Sequence, residues 1–397
     1  MKYIFFNPFF MYFIINVIIL ALYSLPFSSN NMPLDNEYIT FNFISLFIIL
    51  CIGILFHKRI KRIINKDKLK PRSLSILTHN CFFILLLIAW FADFYLSGYI
   101  PIVNVIIKSY GHDYHNFGVK TLHPILVSLS YLILTVSFFN FIVSNKNRKS
   151  NLLKFVVILT IFIAIYSRAF IFFSLASMSL LFIAVKIKKI NISMSMFLSI
   201  ALIVLLFLFG YMGDKRSPSP EYTYKNIFNV TQTFYATAIP KEFMWSYIYI
   251  TSPIANTNLN LINHRDSDDT FENILLTYVF PDFVNKHLIK TDFDKVVPNL
   301  NVATYNIYGV CYGGVLGLYL SFFIFMLYIL IPLYFVIRFN DVVLLIVSII
   351  PVYLSFFTNL FMGALFFISI FLLIVSRFRF RSSSITDRNQ KFCNTHL

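Results

Sequence analysis

The chain has 397 residues, of which 58% are hydrophobic, 19% aromatic and 13% charged, and its formal net charge is +16. A soluble domain carries about a quarter of its residues as charges, so a soluble globular protein is excluded, and repeated apolar runs of about 20 residues mark transmembrane helices. The four cysteines (Cys51, Cys81, Cys311, Cys393) are scattered and offer neither a metal-ligand spacing nor a disulfide framework, while the excess of Lys and Arg marks cytoplasmic loops rather than nucleic-acid binding.

The first apolar run, residues 4–25, is longer than a signal-peptide core. Its flank, Pro26-Phe27-Ser28-Ser29-Asn30, lacks a small-x-small cleavage site, so the run is read as helix 1. An acidic loop with Asp35 and Glu37 leads to a helix over 41–56. The dense basic stretch from Lys58 to Arg72 is then a cytoplasmic topology signal. A third helix over 75–96 carries Asp93 near its outer end. A loop with His112 and His115 follows, then a fourth helix over 124–144 and a basic loop with Lys146, Arg148, Lys149 and Lys154.

Residues 152–185 are too long for one span and short for two, with basic clusters at both ends and Arg168 in the middle. A single helix would put one cluster outside, against the positive-inside rule. The sequence therefore predicts a hairpin of two short arms whose tip, bearing Arg168, lies below the outer surface. A helix over 190–211 delivers the chain to a long polar interval, 212–305, and a helix over 308–337 returns it. Residues 342–376 repeat the hairpin, with Pro351 in its first arm and Asn359 and Gly363 near its centre.

The expected fold is thus an all-α polytopic membrane protein of about ten transmembrane helices, with both termini cytoplasmic. It forms one membrane domain over 1–397 with a large, partly helical extracytoplasmic loop at 212–305. Charge supports this topology: the segments assigned to the cytoplasm hold most of the Lys and Arg residues and, among the acids, only Asp67, Asp341 and Asp387.

No GxxxxGK[ST] loop, GxSxG elbow, HExxH pair or GxGxxG turn occurs, so nucleotide-driven transport, serine hydrolysis and zinc proteolysis have no motif. What remains is cations, acids and aromatics outside the membrane. Arg168 is the sharpest, because an ionisable group inside a membrane segment is costly and functional by default; the bland alternative is a snorkelling anchor. Lys215 and Arg216 follow where the seventh helix surfaces, and guanidinium forks match phosphate oxygens, so Arg168 and Arg216, with Lys215 and Arg265, are candidates to hold a lipid pyrophosphate. A solvated loop start explains Lys215 and Arg216 equally well.

Asp214, His264 and the cluster Asp266, Asp268, Asp269 are candidate general bases for a sugar hydroxyl. The acid cluster would also suit a divalent cation or plain solvation, and no metal is assigned. The run Phe243, Trp245, Tyr247, Tyr249 alternates at a spacing of two, which on an extended segment would align the rings for stacking on sugars; Tyr305 joins them as a sugar-binding candidate. An interfacial aromatic belt explains the same spacing.

Several stretches resemble the Wzy-type oligosaccharide repeat-unit polymerases (O-antigen polymerases) of bacterial envelopes. Asp93 with Gly98-Tyr99-Ile100-Pro101, then Tyr114, Phe117-Gly118 and His123, is similar to that family's first outer loop. Tyr166-Ser167-Arg168 resembles its arginine-bearing hairpin turn, and Gly210-Tyr211-Met212-Gly213-Asp214-Lys215-Arg216-Ser217 the start of its large periplasmic loop. Trp245-Ser246-Tyr247-Ile248-Tyr249 and Ser252-Pro253-Ile254-Ala255-Asn256 resemble a segment inside that loop. Asn301-Val302-Ala303-Thr304-Tyr305, with Gly313-Gly314 and Gly317, resembles its exit. The family often has an acid shortly after that exit, where this chain has Tyr308, Cys311 and Tyr312.

The resemblance implies a GT-C-like glycosyltransferase of the inner membrane that needs no cofactor. Its substrate would be an undecaprenyl-pyrophosphate-linked oligosaccharide, joined en bloc to a second unit, with membrane lipid and a chain-length regulator as partners and no nucleic acid. Arg168 and Arg216 match the family's arginines, and Asp214 or His264 would be the base. An O-antigen ligase with His264 or His287 as its loop histidine, a flippase or secondary transporter, and a membrane-bound acyltransferase with His79 stand as alternatives.

Overall fold

The computed structural model describes residues 2–65, 80–108, 117–120, 122–144, 147–187, 192–217, 219–265, 267, 271–280, 293–297, 300 and 302–393. Among these the regular structure is entirely helical, and a single antiparallel bridge joins Ser28 to Val230. The helices are α1 (Pro8–Tyr23), α2 (Asn36–Ile64), α3 (Asn80–Ser97), α4 (Pro101–Lys108), α5 (Leu122–Val143), α6 (Arg148–Ala164), α7 (Arg168–Lys186) and α8 (Ile192–Arg216). They are followed by α9 (Pro220–Tyr222), α10 (Gln232–Tyr235), α11 (Phe243–Asn263), α12 (Phe271–Val279), α13 (Ile307–Phe339), α14 (Val342–Tyr353) and α15 (Ala364–Cys393).

A helix stands at each position where an apolar run was read, and five are long and apolar enough to cross a membrane: 36–64, 80–97, 122–143, 169–186 and 307–339. Large side chains on several of the apolar helices are bare of protein: Phe43 and Leu55 of α2, Phe91 of α3, and Phe197 and Leu205 of α8 are all more than half exposed. In water such contiguous apolar surface would drive association; in hydrocarbon it is the ordinary condition of a helix.

The chain packs as two units built from interleaved segments, residues 1–58, 189–329 and 351–362 in one and 59–188, 330–350 and 363–397 in the other. In the first unit, Asn7 fixes the start of α1. Its Oδ1 accepts from Phe9 N at 3.1 Å, capping the helix, and its Nδ2 donates to Gly53 O of α2 at 2.8 Å. Gly53 is required there, because a Cβ would lie 2.8 Å from the Phe10 ring. Leu25 and Phe27, after α1, then pack against a cluster of Tyr224, Phe228, Phe234, Met244, Tyr247 and Ile248.

Helix α5 is the core of the second unit. In its apolar window 78% is buried, against 22% for α2. Its small polar residues make this possible, since they let neighbouring helices approach closely and turn their hydroxyls on the helix backbone. Ser128 bonds Pro124 O and Thr135 bonds Tyr131 O; Trp90 of α3 donates to Ser130 Oγ at 2.7 Å, and Tyr131 meets Ser177 of α7 at 2.5 Å.

The run 152–185 is two helices as read, divided at Ile165–Ser167 with Tyr166 at φ +60°. The run 342–376 also divides, between α14 and α15, although α15 continues through the basic stretch to Cys393. The span read as one helix over 308–337 is corrected: α13 is broken at Gly313 (φ −139°) and Gly314 (φ 49°). A positive φ is open to glycine at little cost, and the backbone of Gly314 lies against the carbonyl oxygens of His264 and Arg265, where no side chain fits.

Candidate functional site

Helix α8 ends in the sequence Gly213-Asp214-Lys215-Arg216. Asp214 is the hub of this end. Its Oδ1 accepts from Tyr224 Oη at 2.7 Å and from Trp245 Nε1 at 2.7 Å, so one carboxylate oxygen joins α8 to the turn 223–227 and to α11. Trp245 can lie on α8 because residue 213 is glycine: a Cβ there would be 2.5 Å from the indole ring. Phe228 stands edge-on to the indole with centroids 4.8 Å apart. Burial, then the hydrogen bond to Asp214 and its charge, push the Tyr224 phenol well above its ordinary value. Tyr224 therefore stays a proton donor to the carboxylate across the physiological range.

His264 caps the C-terminal end of α11, giving its N–H to Asn260 O at 2.9 Å. Arg265 pairs with Asp35, whose Oδ1 accepts from Glu37 N at 2.9 Å at the start of α2. With 47% of its side chain exposed, that pair is worth ~0–1 kcal/mol. Arg265 is thus engaged by a carboxylate in this conformation. Arg168, first residue of α7, belongs to the second unit, whereas Lys215 and Arg216 close α8 in the first. Asp266, Asp268, Asp269, His79, His112, His115 and His287 lie outside the described residues. Among the described residues no group of three or more His, Cys, Asp or Glu gathers as a metal site.

The extended reading of the aromatic run is overturned, because Phe243–Asn263 is a helix. At 3.6 residues per turn a spacing of two turns successive rings to different sides. Trp245 goes to Asp214. Tyr247 is buried, donating to Leu25 O at 2.8 Å and lying 2.7 Å from Asn31 Nδ2. Tyr249 meets Phe209 edge-on at 5.1 Å. Tyr305 is 3% exposed and stacks on Phe325 at 4.1 Å, as a core ring. Neither Tyr247 nor Tyr305 presents a face to a sugar, while Trp245 and Tyr249 remain half-buried.

Two constellations were not anticipated. The first is a stripe of asparagines on α11. Asn256 donates to Val302 O at 2.7 Å and accepts from Val296 N at 2.8 Å; Asn260 does the same with Asp294 O and N, at 2.8 and 3.0 Å. A primary amide can satisfy a backbone donor and acceptor together, so these side chains hold the backbone at Asp294, Val296 and Val302 as a neighbouring strand would. The spacing of four that puts both on one face was visible in the sequence.

The second is in the other unit. Asp93 of α3 is fully buried, and both its oxygens are used: Oδ2 is 2.8 Å from His123 Nδ1 of α5, and Oδ1 accepts from Val119 N at 2.8 Å. Trp90 and Phe117 stand edge-on to the imidazole at 5.5 and 5.2 Å. Gly118, at φ +93°, lies so close that a Cβ would be 2.5 Å from His123 Cγ. His123 Nε2 is buried and, among the described residues, has no hydrogen-bond partner. The sequence places Asp93 at the outer end of a helix and suggests a surface or interfacial histidine at 123; the latter is corrected, because His123 is buried against Asp93.

No protein-family model matches the chain, no curated protein matches its sequence, and no solved structure matches its fold.

Proposed function

We propose that the chain is a lipid-pyrophosphate-dependent glycosyltransferase: a polymerase that joins undecaprenyl-pyrophosphate-linked oligosaccharide repeat units into O-antigen or capsular polysaccharide at the outer face of the bacterial inner membrane. In this reading the apolar helices form a ten-span, GT-C-like domain with both termini in the cytoplasm, and segment 212–305 lies on its outer face.

The observation that carries the reading is the position of Arg168. It opens the apolar helix α7 directly after a hairpin turn, and the N-cap residue, Ser167, makes no side-chain cap. A guanidinium and the unsatisfied N–H groups of a helix N-terminus both favour anionic oxygens. An arginine at the start of an apolar helix is costly to hold in a membrane unless an anion offsets it, and a polyprenyl pyrophosphate supplies that anion. In the reaction the acceptor hydroxyl attacks the anomeric carbon of the donor sugar. The carbon–oxygen bond to phosphate breaks, and the carrier pyrophosphate leaves with the electron pair. Fixed cations stabilise that leaving charge, so no nucleotide is required.

The test is the envelope glycolipid of a deletion strain run on a gel. A single-repeat band, restored to polymer by the wild-type gene, is the expected result; bare core with long polymer stranded on the carrier would instead indicate a ligase. Arg168→Ala should give the deletion pattern at normal protein abundance. Arg168→Lys should rescue only in part, because an ammonium cannot reproduce the two-pronged fork.

A further inference from the structure

We infer that Asp93 and His123 form the proton-accepting pair of this site, with His123 Nε2 taking the proton of the acceptor hydroxyl and Asp93 holding the imidazole for that task. The inference rests on the polymerase reading, and assigns the base that the reading requires.

The first support is hydrogen-bond accounting. A histidine that serves only as a clasp within a buried loop uses both ring nitrogens, because a buried polar atom without a partner costs stability. His123 uses one. Its Nδ1 lies 2.8 Å from Asp93 Oδ2, while Nε2 is buried and unpartnered among the described residues. With the Nδ1 proton given to the carboxylate, the neutral imidazole carries its lone pair on Nε2.

The second is that the ring position is over-determined. Asp93 cannot rotate away, since its other oxygen is held by Val119 N. Ser97 Oγ bonds Asp93 O at 2.6 Å and accepts from Gly118 N at 3.1 Å, fixing the loop to the same turn of α3. Trp90, Phe117 and Gly118 pack the ring on its sides. Such restraint is what a base needs in order to meet its substrate in one geometry. Nε2 itself is buried, and 11% of the side chain remains open around it. A hydroxyl within hydrogen-bond reach, or one water away, is close enough for transfer.

The third is location. Helices α5, α6 and α7 follow one another through short connections, which make consecutive helices antiparallel neighbours and so set α5 and α7 parallel, and the contact of Tyr131 with Ser177 sets their register. Running back along each helix at ~1.5 Å per residue brings His123 and Arg168 to the same level within about one turn. The pair and the cation that opens α7 therefore share one end of the unit.

In the step assigned here, the acceptor O–H bond breaks as the new glycosidic bond forms, and the proton moves to Nε2. The resulting imidazolium faces the Asp93 carboxylate, while the electron pair leaves on the carrier pyrophosphate. Asp93 is a positioning residue, acting through His123.

The experiment uses the full-length protein in proteoliposomes, supplied with the carrier-linked repeat unit extracted from the deletion strain. His123→Gln should lower kcat for joining by about 10²–10⁴-fold with KM little changed, the range expected for loss of a general base. Asp93→Asn should lower kcat in the same way, and Asp93→Glu should restore part of it. A clasp would instead lower protein abundance and leave the kcat of the folded fraction alone. Solid-state NMR of the 15N-histidine-labelled wild type gives a readout independent of turnover: Nδ1 protonated and Nε2 bare is expected for His123. The reverse tautomer overturns the assignment even if the variants fail to fold. Wild-type rates from His123→Gln overturn it while leaving the joining reaction standing. A wild-type protein that joins no units overturns the polymerase reading and this assignment together.

Discussion

Gly309 and Gly317 touch backbone to backbone, so closely that a Cβ on either would meet the carbonyl of the other. In an unbroken helix their separation would be ~12 Å along the axis. The break at Gly313 and Gly314 brings the two pieces of α13 across one another, and Tyr278 secures the first piece by donating to Tyr305 O at 2.8 Å and accepting from Gly309 N at 3.1 Å.

Gly317→Val should therefore lower stability by about 1–3 kcal/mol or more through overpacking against a backbone that cannot yield. The check is thermal unfolding of the detergent-solubilised protein by fluorescence-detected gel filtration. Leu316→Val, at a position 72% exposed, is the comparison and should lie within ~0.5 kcal/mol of wild type.

The stripe on α11 makes a second prediction. Asn256→Asp keeps the acceptor for Val296 N but loses the donor for Val302 O. Leaving that buried carbonyl unpaired costs about 1–3 kcal/mol, before the cost of a buried charge. Asn263→Ala, which loses only an exposed bond to Asp294, should be nearly neutral. Limited proteolysis within 293–304 reads the difference. Equal protection in the two variants would exclude the stripe as the anchor of that stretch.

The Asp214 joint has an alkaline limit. Tyr224 is raised well above the ordinary phenol value of 10.0 by burial and by Asp214. A group raised on folding contributes stability that is whole below its unfolded value and is lost as pH climbs toward its folded one. The advantage of wild type over Tyr224→Phe in melting temperature should thus be constant up to pH ~9.5 and shrink above pH ~10. A constant gap through pH ~11 would show that the phenol is not what titrates.

The topology is open to direct assay. A reporter active only outside the cytoplasm should work when fused within 219–263 and fail when fused within 59–65. Activity in the basic segment would invert the chain and place the Asp214 joint on the cytoplasmic side.

Much of this architecture was legible because its signals are local. Apolar runs fixed where the helices lie, and basic clusters at both ends of 152–185 pointed to a break near Arg168, where the two helices divide at Tyr166. The aromatic run misled because four residues at a spacing of two fit an extended segment when read alone. Read with Asn256 and Asn260, the same stretch shows the helical period. The break in α13 was written as Gly313-Gly314, but an apolar run this long invited one straight span. The Asp93–His123 pair was not legible at all. Its partners lie on different helices, and only the packing of α3 against α5 joins them.

The stitching of segment 24–35 to 227–231 sets an order of events during synthesis. Ser28 Oγ donates to Phe228 O at 2.5 Å, Asn30 donates to Ile227 O at 2.9 Å, and Asn229 returns a bond to Asn30 at 2.7 Å. The first two helices leave the ribosome long before these partners exist. They must wait in the bilayer, their connecting loop hydrated, until α8 and the turns after it have been translated. In the proposed topology, a ribosome stalled before Phe228 would leave that loop open to protease from the far side of the membrane, and release of the stall would close it.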